Sequence, residues 1–174
     1  TKYLLQNNRK KIALITTPSH VTVGALRRQG YEKALIEEYI RTDANLIVEI
    51  DEKESITKQI ETVFEEDIDS VFAVNEIYAA KAMKIAKKKG LHIPNDVSII
   101  GFTDGLISEY SSPSITTIAQ HGFTMGRQAV ELLIERIEKE SEIYKPRKIV
   151  ISSDLKLRES TKPLRAFIPV PICT

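Results

Sequence analysis

Side chains able to do chemistry gather in four short clusters: Thr16, Thr17, Ser19 and His20; Asp51 and Glu52; Asn75 and Glu76; and Thr103 with Asp104. Hydroxyls, amides and a few carboxylates are groups for directional hydrogen bonding, so the chemistry they offer is the holding of a polyhydroxylated or heterocyclic small molecule. Arg27 adds a planar fork of charged donors. A plainer role is open to Asn75 and Asp104, the capping of a helix or turn, which these residue types perform routinely. What lifts binding above four separate caps is convergence, and convergence depends on the elements that carry the clusters.

Catalytic signatures are missing from the same stretches. The seven glycines form neither G-x-G-x-x-G nor a P-loop, and neither H-E-x-x-H nor G-x-S-x-G occurs. His92, between Gly90 and Pro94, reads as a surface turn residue, and His20 and His121 as residues of edge loops. Carboxylates at strand ends suit Mg²⁺ in type, yet no other motif supports a phosphotransferase built on Asp51 or Asp104. No catalytic residue, metal site or cofactor is expected. Lys87, Lys88 and Lys89 precede Gly90 and read as a solvated helix end, where cations offset the macrodipole. Gly122 and Gly126 are spaced for close helix packing, but Arg127, Glu131, Glu135 and Arg136 exclude a membrane helix.

The clusters sit at the ends of apolar runs. Residues 11–16, 46–50, 70–74 and 97–102 are short strand patterns, and helical periodicity fills the intervals 22–39, 55–64 and 76–89. In the first helix Thr22 is the expected N-cap, and Val23, Leu26, Gly30, Ala34, Leu35 and Tyr39 the expected apolar stripe. Strands joined by single helical crossovers favour a doubly wound parallel α/β sheet, covered on both faces. Ligands of such sheets bind beyond the carboxyl ends of the strands, where all four clusters fall. After a loop at 108–113 come an extended piece at 114–119 and a long amphipathic helix from Gly122 to about residue 139. Phe123, Ala129, Val130, Leu133, Ile134 and Ile137 form its stripe. Extended pieces at 148–151 and 154–158 follow, and then an irregular tail.

Composition bounds the partners. The chain has 174 residues, 42% hydrophobic and 28% charged, which is globular composition. Its 25 Lys and Arg against 24 Asp and Glu give a net charge of +1, so a strongly basic nucleic-acid surface is not expected within it. The single cysteine, Cys173, allows no internal disulfide and suits a reducing, cytoplasmic setting. No apolar run approaches the ~18 residues of a membrane span, so no membrane partner is expected. The chain opens on Thr1, and residues 1–11 read like the interior of a longer protein.

Several segments together resemble the effector-binding region of the LacI/GalR family of bacterial transcription regulators. They are Arg9 to Ile15 (RKKIALI), Arg27 to Leu35 (RRQGYEKAL), Val71 to Glu76 (VFAVNE), and Gly90 to Asp104 (GLHIPNDVSIIGFTD). Ser112 to Gln120 (SPSITTIAQ) and the closing Leu157 to Thr161 (LREST) complete the set, in order, over nearly the whole chain.

The resemblance implies a type I periplasmic-binding-protein-like fold of two α/β subdomains with effector in the cleft between them. Residues 11–117 and 151–162 would form the second subdomain, 1–10 and 118–150 part of the first, and 163–174 an irregular tail. The family's helix-turn-helix headpiece is not among these residues. The resemblance places Arg27, Asn75 and Gln120 at effector contacts, and the edge clusters add Thr103, Asp104 and His20. Thr103 stands where many relatives have an aspartate, and Val23 where they often place Ser or Thr. The expected partners are a carbohydrate-like effector, operator DNA through the headpiece, and a second copy in a homodimer. A periplasmic sugar-binding protein of a transport system is the alternative, sharing the fold; the Leu157–Thr161 pattern favours the regulator.

Overall fold

A computed structural model describes residues 1–138 and 146–164. The element order is α1 (Lys2–Gln6), β1 (Ile12–Thr16), α2 (Thr22–Glu37), a 3₁₀ turn (Ala44–Leu46), β2 (Ile47–Glu49), α3 (Ile56–Val63), β3 (Ser70–Ala73), α4 (Glu76–Lys88), β4 (Ser98–Phe102), α5 (Leu106–Tyr110), β5 (Thr116–Ala119), α6 (Gly122–Glu138) and β6 (Asp154–Lys156). The six strands lie in the order β2-β1-β3-β4-β5-β6. All neighbours run parallel except β5 and β6. This is the doubly wound architecture expected, closed by an antiparallel edge.

Burial explains the strands. Every residue of β1 and β3 is buried, and Ile12, Leu14, Ile15, Val71 and Ile99 are almost wholly inaccessible. A central parallel strand is covered on both faces, so it reads as a continuous apolar run rather than an alternation. Helix α4 is bounded by two local devices. Asn75 accepts from the Tyr78 N–H at 2.8 Å across the first turn, and Gly90 takes φ +78° after the last. That left-handed conformation is easy only for glycine, and there the Leu91 N–H reaches the Ala86 carbonyl at 3.0 Å.

The segment after β6 is tied into the sheet by polar groups. Ser160 donates from Oγ to the Ile99 carbonyl at 2.5 Å and accepts from the Thr116 N–H at 2.8 Å. The Thr161 and Thr116 hydroxyls meet at 2.8 Å, and Glu159 accepts from the Ser114 N–H and hydroxyl. The Leu157–Thr161 pattern is therefore a hydrogen-bonded clamp on β4 and β5, buried at Ser160 and Thr161.

Four expectations need correction. Thr22 lies inside α2; the N-cap is Val21, with no side-chain bond. The buried stripe of α2 is Gly24, Tyr31, Ala34 and Leu35, while Val23, Leu26 and Tyr39 are exposed. Tyr31 sets that phase, because its hydroxyl can donate to the Ile12 carbonyl at 2.8 Å while its ring is buried. Residues 108–110 of the expected loop belong to α5, and residues 148–151 form no strand. Helix α1 was not foreseen; it delivers Leu4 into the same core as the sheet. Most of the tail lies outside the described residues.

Candidate functional site

Parallel pairing brings the carboxyl ends of β1, β2, β3, β4 and β5 to one edge. Helix α2 starts from that edge, and Arg27 lies about one and a half turns in. Arg27 Nη1 donates to the Val74 carbonyl at 2.9 Å, and its guanidinium carbon sits 4.0 Å from the centre of the Phe102 ring. Val74 precedes Asn75 and Phe102 precedes Thr103, so one arginine ties the ends of β3 and β4 together. The Thr103 Oγ1 in turn accepts from Gln120 Nε2 at 3.2 Å, with Thr103 held at φ +79°. Arg27, Asn75, Thr103 and Gln120 therefore stand along one edge of the sheet.

Arg27 is partly buried, and burial pulls its guanidinium below the usual arginine range. It remains a cation at neutral pH. Among the described residues no carboxylate forms an ion pair with it. On one face of the sheet next to it lies a cavity of about 390 Å³, lined by Arg27, Tyr31, Phe72, Phe102, Ile118 and Leu155.

Asp104 is committed elsewhere. It pairs with Arg158 Nη2 at 2.5 Å and with Lys156 Nζ, and accepts from the Thr117 hydroxyl at 3.2 Å. Burial alone would raise its pKa, but the hydrogen bonds and charges of Lys156 and Arg158 outweigh burial and hold the carboxyl at about 2. Asn75 spends its side-chain carbonyl on the α4 cap. His20 is exposed on the loop after β1, and His121 pairs with Asp154 at 2.8 Å.

Other carboxylates of this edge are also engaged. Glu49 accepts from Arg28 at 2.7 Å and from the Ser19 N–H at 3.0 Å. Asp51 accepts from the Lys53 N–H at 2.9 Å, and Glu76 from the Ser108 N–H and hydroxyl at 3.3 and 3.2 Å. Two close approaches shape the loops. A Cβ on Gly24 would lie 2.1 Å from the Thr17 hydroxyl, and one on Gly105 would lie 2.4 Å from Glu76. Among the described residues no three His, Cys, Asp or Glu side chains converge as a metal-ligand set.

The residues that sequence reasoning missed are Phe102, Lys156 and Arg158. Phe102 carried a signal, being an aromatic at the last position of a strand, directly before Thr103. Lys156 and Arg158 carried none, because they reach Asp104 only through the antiparallel pairing of β6 with β5.

Residues 1–161 match the periplasmic binding protein-like domain family. The HTH-type transcriptional regulator CelR of Thermobifida fusca is 29% identical over 163 residues, which cover 92% of this chain and 47% of that protein. The HTH-type transcriptional repressor PurR of Histophilus somni (strain 129Pt) is 35% identical over 170 residues, covering 94% and 50%. A solved structure of a transcriptional regulator CelR–cellobiose complex superposes with a TM-score of 0.85 at 28% identity, over 91% of this chain and 49% of that one. The chain thus spans about half the length of the curated relatives it matches.

Proposed function

Because the chain belongs to the periplasmic binding protein-like domain family, in the form carried by LacI-type transcription regulators, we propose that it is the effector-sensing region of such a regulator. It binds a small molecule, a sugar or sugar derivative, at the edge where Arg27, Asn75, Thr103 and Gln120 meet. The observation that carries this reading is the Arg27 bridge, which joins the ends of β3 and β4 and leaves further N–H donors of the guanidinium for a ligand. Cellobiose in the related CelR complex supports a carbohydrate.

Helix α6 supports a second subdomain. None of its residues is buried, and Phe123, Leu133 and Ile137 are 85%, 57% and 59% exposed. Such a stripe on an amphipathic helix calls for a covering partner, and we assign that role to the remainder of the first subdomain, which supplies the other wall of the cleft. Closure of two walls on a ligand shifts a two-state equilibrium, and a dimeric DNA-binding part reads that shift as a change in affinity. The setting is then the cytoplasm, where operator DNA lies. Helix-turn-helix regulators among the relatives favour this reading over a transport protein. Asp104 is reassigned from ligand contact to the ion-paired support of the edge.

A thermal-shift screen of the full-length protein against sugars, sugar acids and sugar phosphates tests the reading. A compound raising Tm by several degrees is the expected result; a flat response across all three classes contradicts it.

A further inference from the structure

We propose that Arg158, in the segment after β6, is a positioning residue for the effector edge: through Asp104 it holds Thr103 in the backbone conformation that sets the Thr103 hydroxyl beside Gln120. This goes beyond the effector reading above and rests on it. Thr103 has φ +79°, in the left-handed region that a β-branched residue adopts only under constraint. Its N–H donates to the Ile118 carbonyl at 3.0 Å, and its hydroxyl accepts from Gln120. Both bonds reach β5 or the residue directly after it. The remaining constraint comes from the next residue in the chain, Asp104, whose carboxylate is anchored.

Arg158 supplies that anchor with two arms of one guanidinium. Nη2 meets Asp104 Oδ1 at 2.5 Å, while Nη1 donates to the Ile115 carbonyl at 3.0 Å and to the Thr117 hydroxyl at 2.9 Å. That hydroxyl donates in turn to the same Asp104 oxygen at 3.2 Å, so Arg158, Thr117 and Asp104 form a closed ring of hydrogen bonds. The Asp104 and Arg158 side chains are only 16% and 18% exposed, and water competes little for the pair. Lys156 reaches the other carboxylate oxygen but is 52% exposed, so solvent weakens its hold. The backbone beneath Arg158 is fixed as well: its N–H donates to the Thr116 hydroxyl at 2.9 Å, and Ser160 is bonded to Ile99 and Thr116. A lysine at this position would keep the charge and lose the second arm, giving up either Asp104 or β5.

The test uses the full-length protein and whichever of cellobiose, glucose, gluconate and glucose 6-phosphate binds it tightest by isothermal titration calorimetry, well below Tm. Arg158→Lys is expected to weaken binding about tenfold, the factor that follows when only about a tenth of the molecules hold the competent edge. Lys156→Gln is expected to weaken it less than about twofold. Asparagine adopts the left-handed conformation more readily than threonine, so in a Thr103→Asn background Arg158→Lys should cost less than about twofold. That non-additivity separates positioning from general support of the fold. Equal losses in the two backgrounds, or a lowered Tm with unchanged affinity, overturn the proposal and leave the sugar-effector reading standing. Binding by none of the four compounds overturns both. Should Arg158→Lys fail to fold or Thr103→Asn fail to bind, hydrogen exchange at the Thr103 amide decides in the ligand-free protein, with Thr117→Val as the substitute that removes the shared hydroxyl. Faster exchange at Thr103 with the Ile99 amide unchanged is expected; unchanged protection of Thr103 overturns the proposal.

Discussion

Asp104 and Arg27 show how much a single residue's partners decide. Both belong to the same edge, yet Asp104 is paired with two cations, whereas no carboxylate among the described residues pairs with Arg27. Asp104→Asn leaves Lys156 and Arg158 facing a neutral amide, and should destabilise the fold by about 3 kcal/mol, read as a lower urea midpoint. Its pH dependence has a definite sign. A carboxyl held at about 2 in the folded chain, and near 4 when unfolded, contributes its full stability above about pH 4. That contribution is lost as pH falls from 4 to 2. Acid titration of Asp104→Asn should therefore show a shallower loss in that window than the wild-type protein. The positions of Asn75 and Thr103 on one edge were legible because strand ends can be read from where apolar runs stop, that of Arg27 from its place in the helix that follows, and that of Gln120 only from the family resemblance. The commitment of Asp104 was not, because Lys156 and Arg158 lie more than fifty residues away and reach it only through strand pairing.

Elements were legible in proportion to their burial and length. The central strands announced themselves as unbroken apolar runs, and α4 carried both its cap and its terminating glycine in the sequence. Asn75 is the informative position here, since it serves both helix and edge. Asn75→Asp retains an acceptor for the Tyr78 N–H and should leave Tm nearly unchanged, whereas Asn75→Ala should cost about 1 kcal/mol of unfolding free energy. If effector affinity falls in both variants alike, the side chain contacts ligand; if it falls only in Asn75→Ala, the residue acts through the cap. Helix α2 was misphased because its stripe is set by a tyrosine that buries a ring while keeping a hydroxyl bond, a combination periodicity cannot weigh. Helices α1 and α5, five residues each without a side-chain cap bond, left too short a pattern to find. Gly24 was read only as part of a helix, yet its lack of a Cβ makes room for Thr17. Gly24→Ala should lower Tm by displacing the loop after β1, a change measurable by calorimetry.

At the scale of the whole molecule, a net charge of +1 and a half-length match to helix-turn-helix regulators accord with the sensing region proposed above. The exposed stripe of α6 belongs to that picture. This 174-residue chain on its own should bind an apolar dye such as ANS. Leu133→Glu together with Ile137→Glu should reduce that binding without lowering Tm, because neither side chain is buried. The central claim is that ligand at the Arg27 edge is read out at DNA. Its most direct test is an anisotropy titration of the full-length protein on an operator selected from random DNA, with and without the compound that stabilises it most. The account predicts a shift in operator Kd of roughly 5- to 150-fold in one direction, lost in Arg27→Gln while ligand-free DNA affinity is kept. An operator Kd unchanged at saturating ligand, or a shift undiminished in Arg27→Gln, would contradict it.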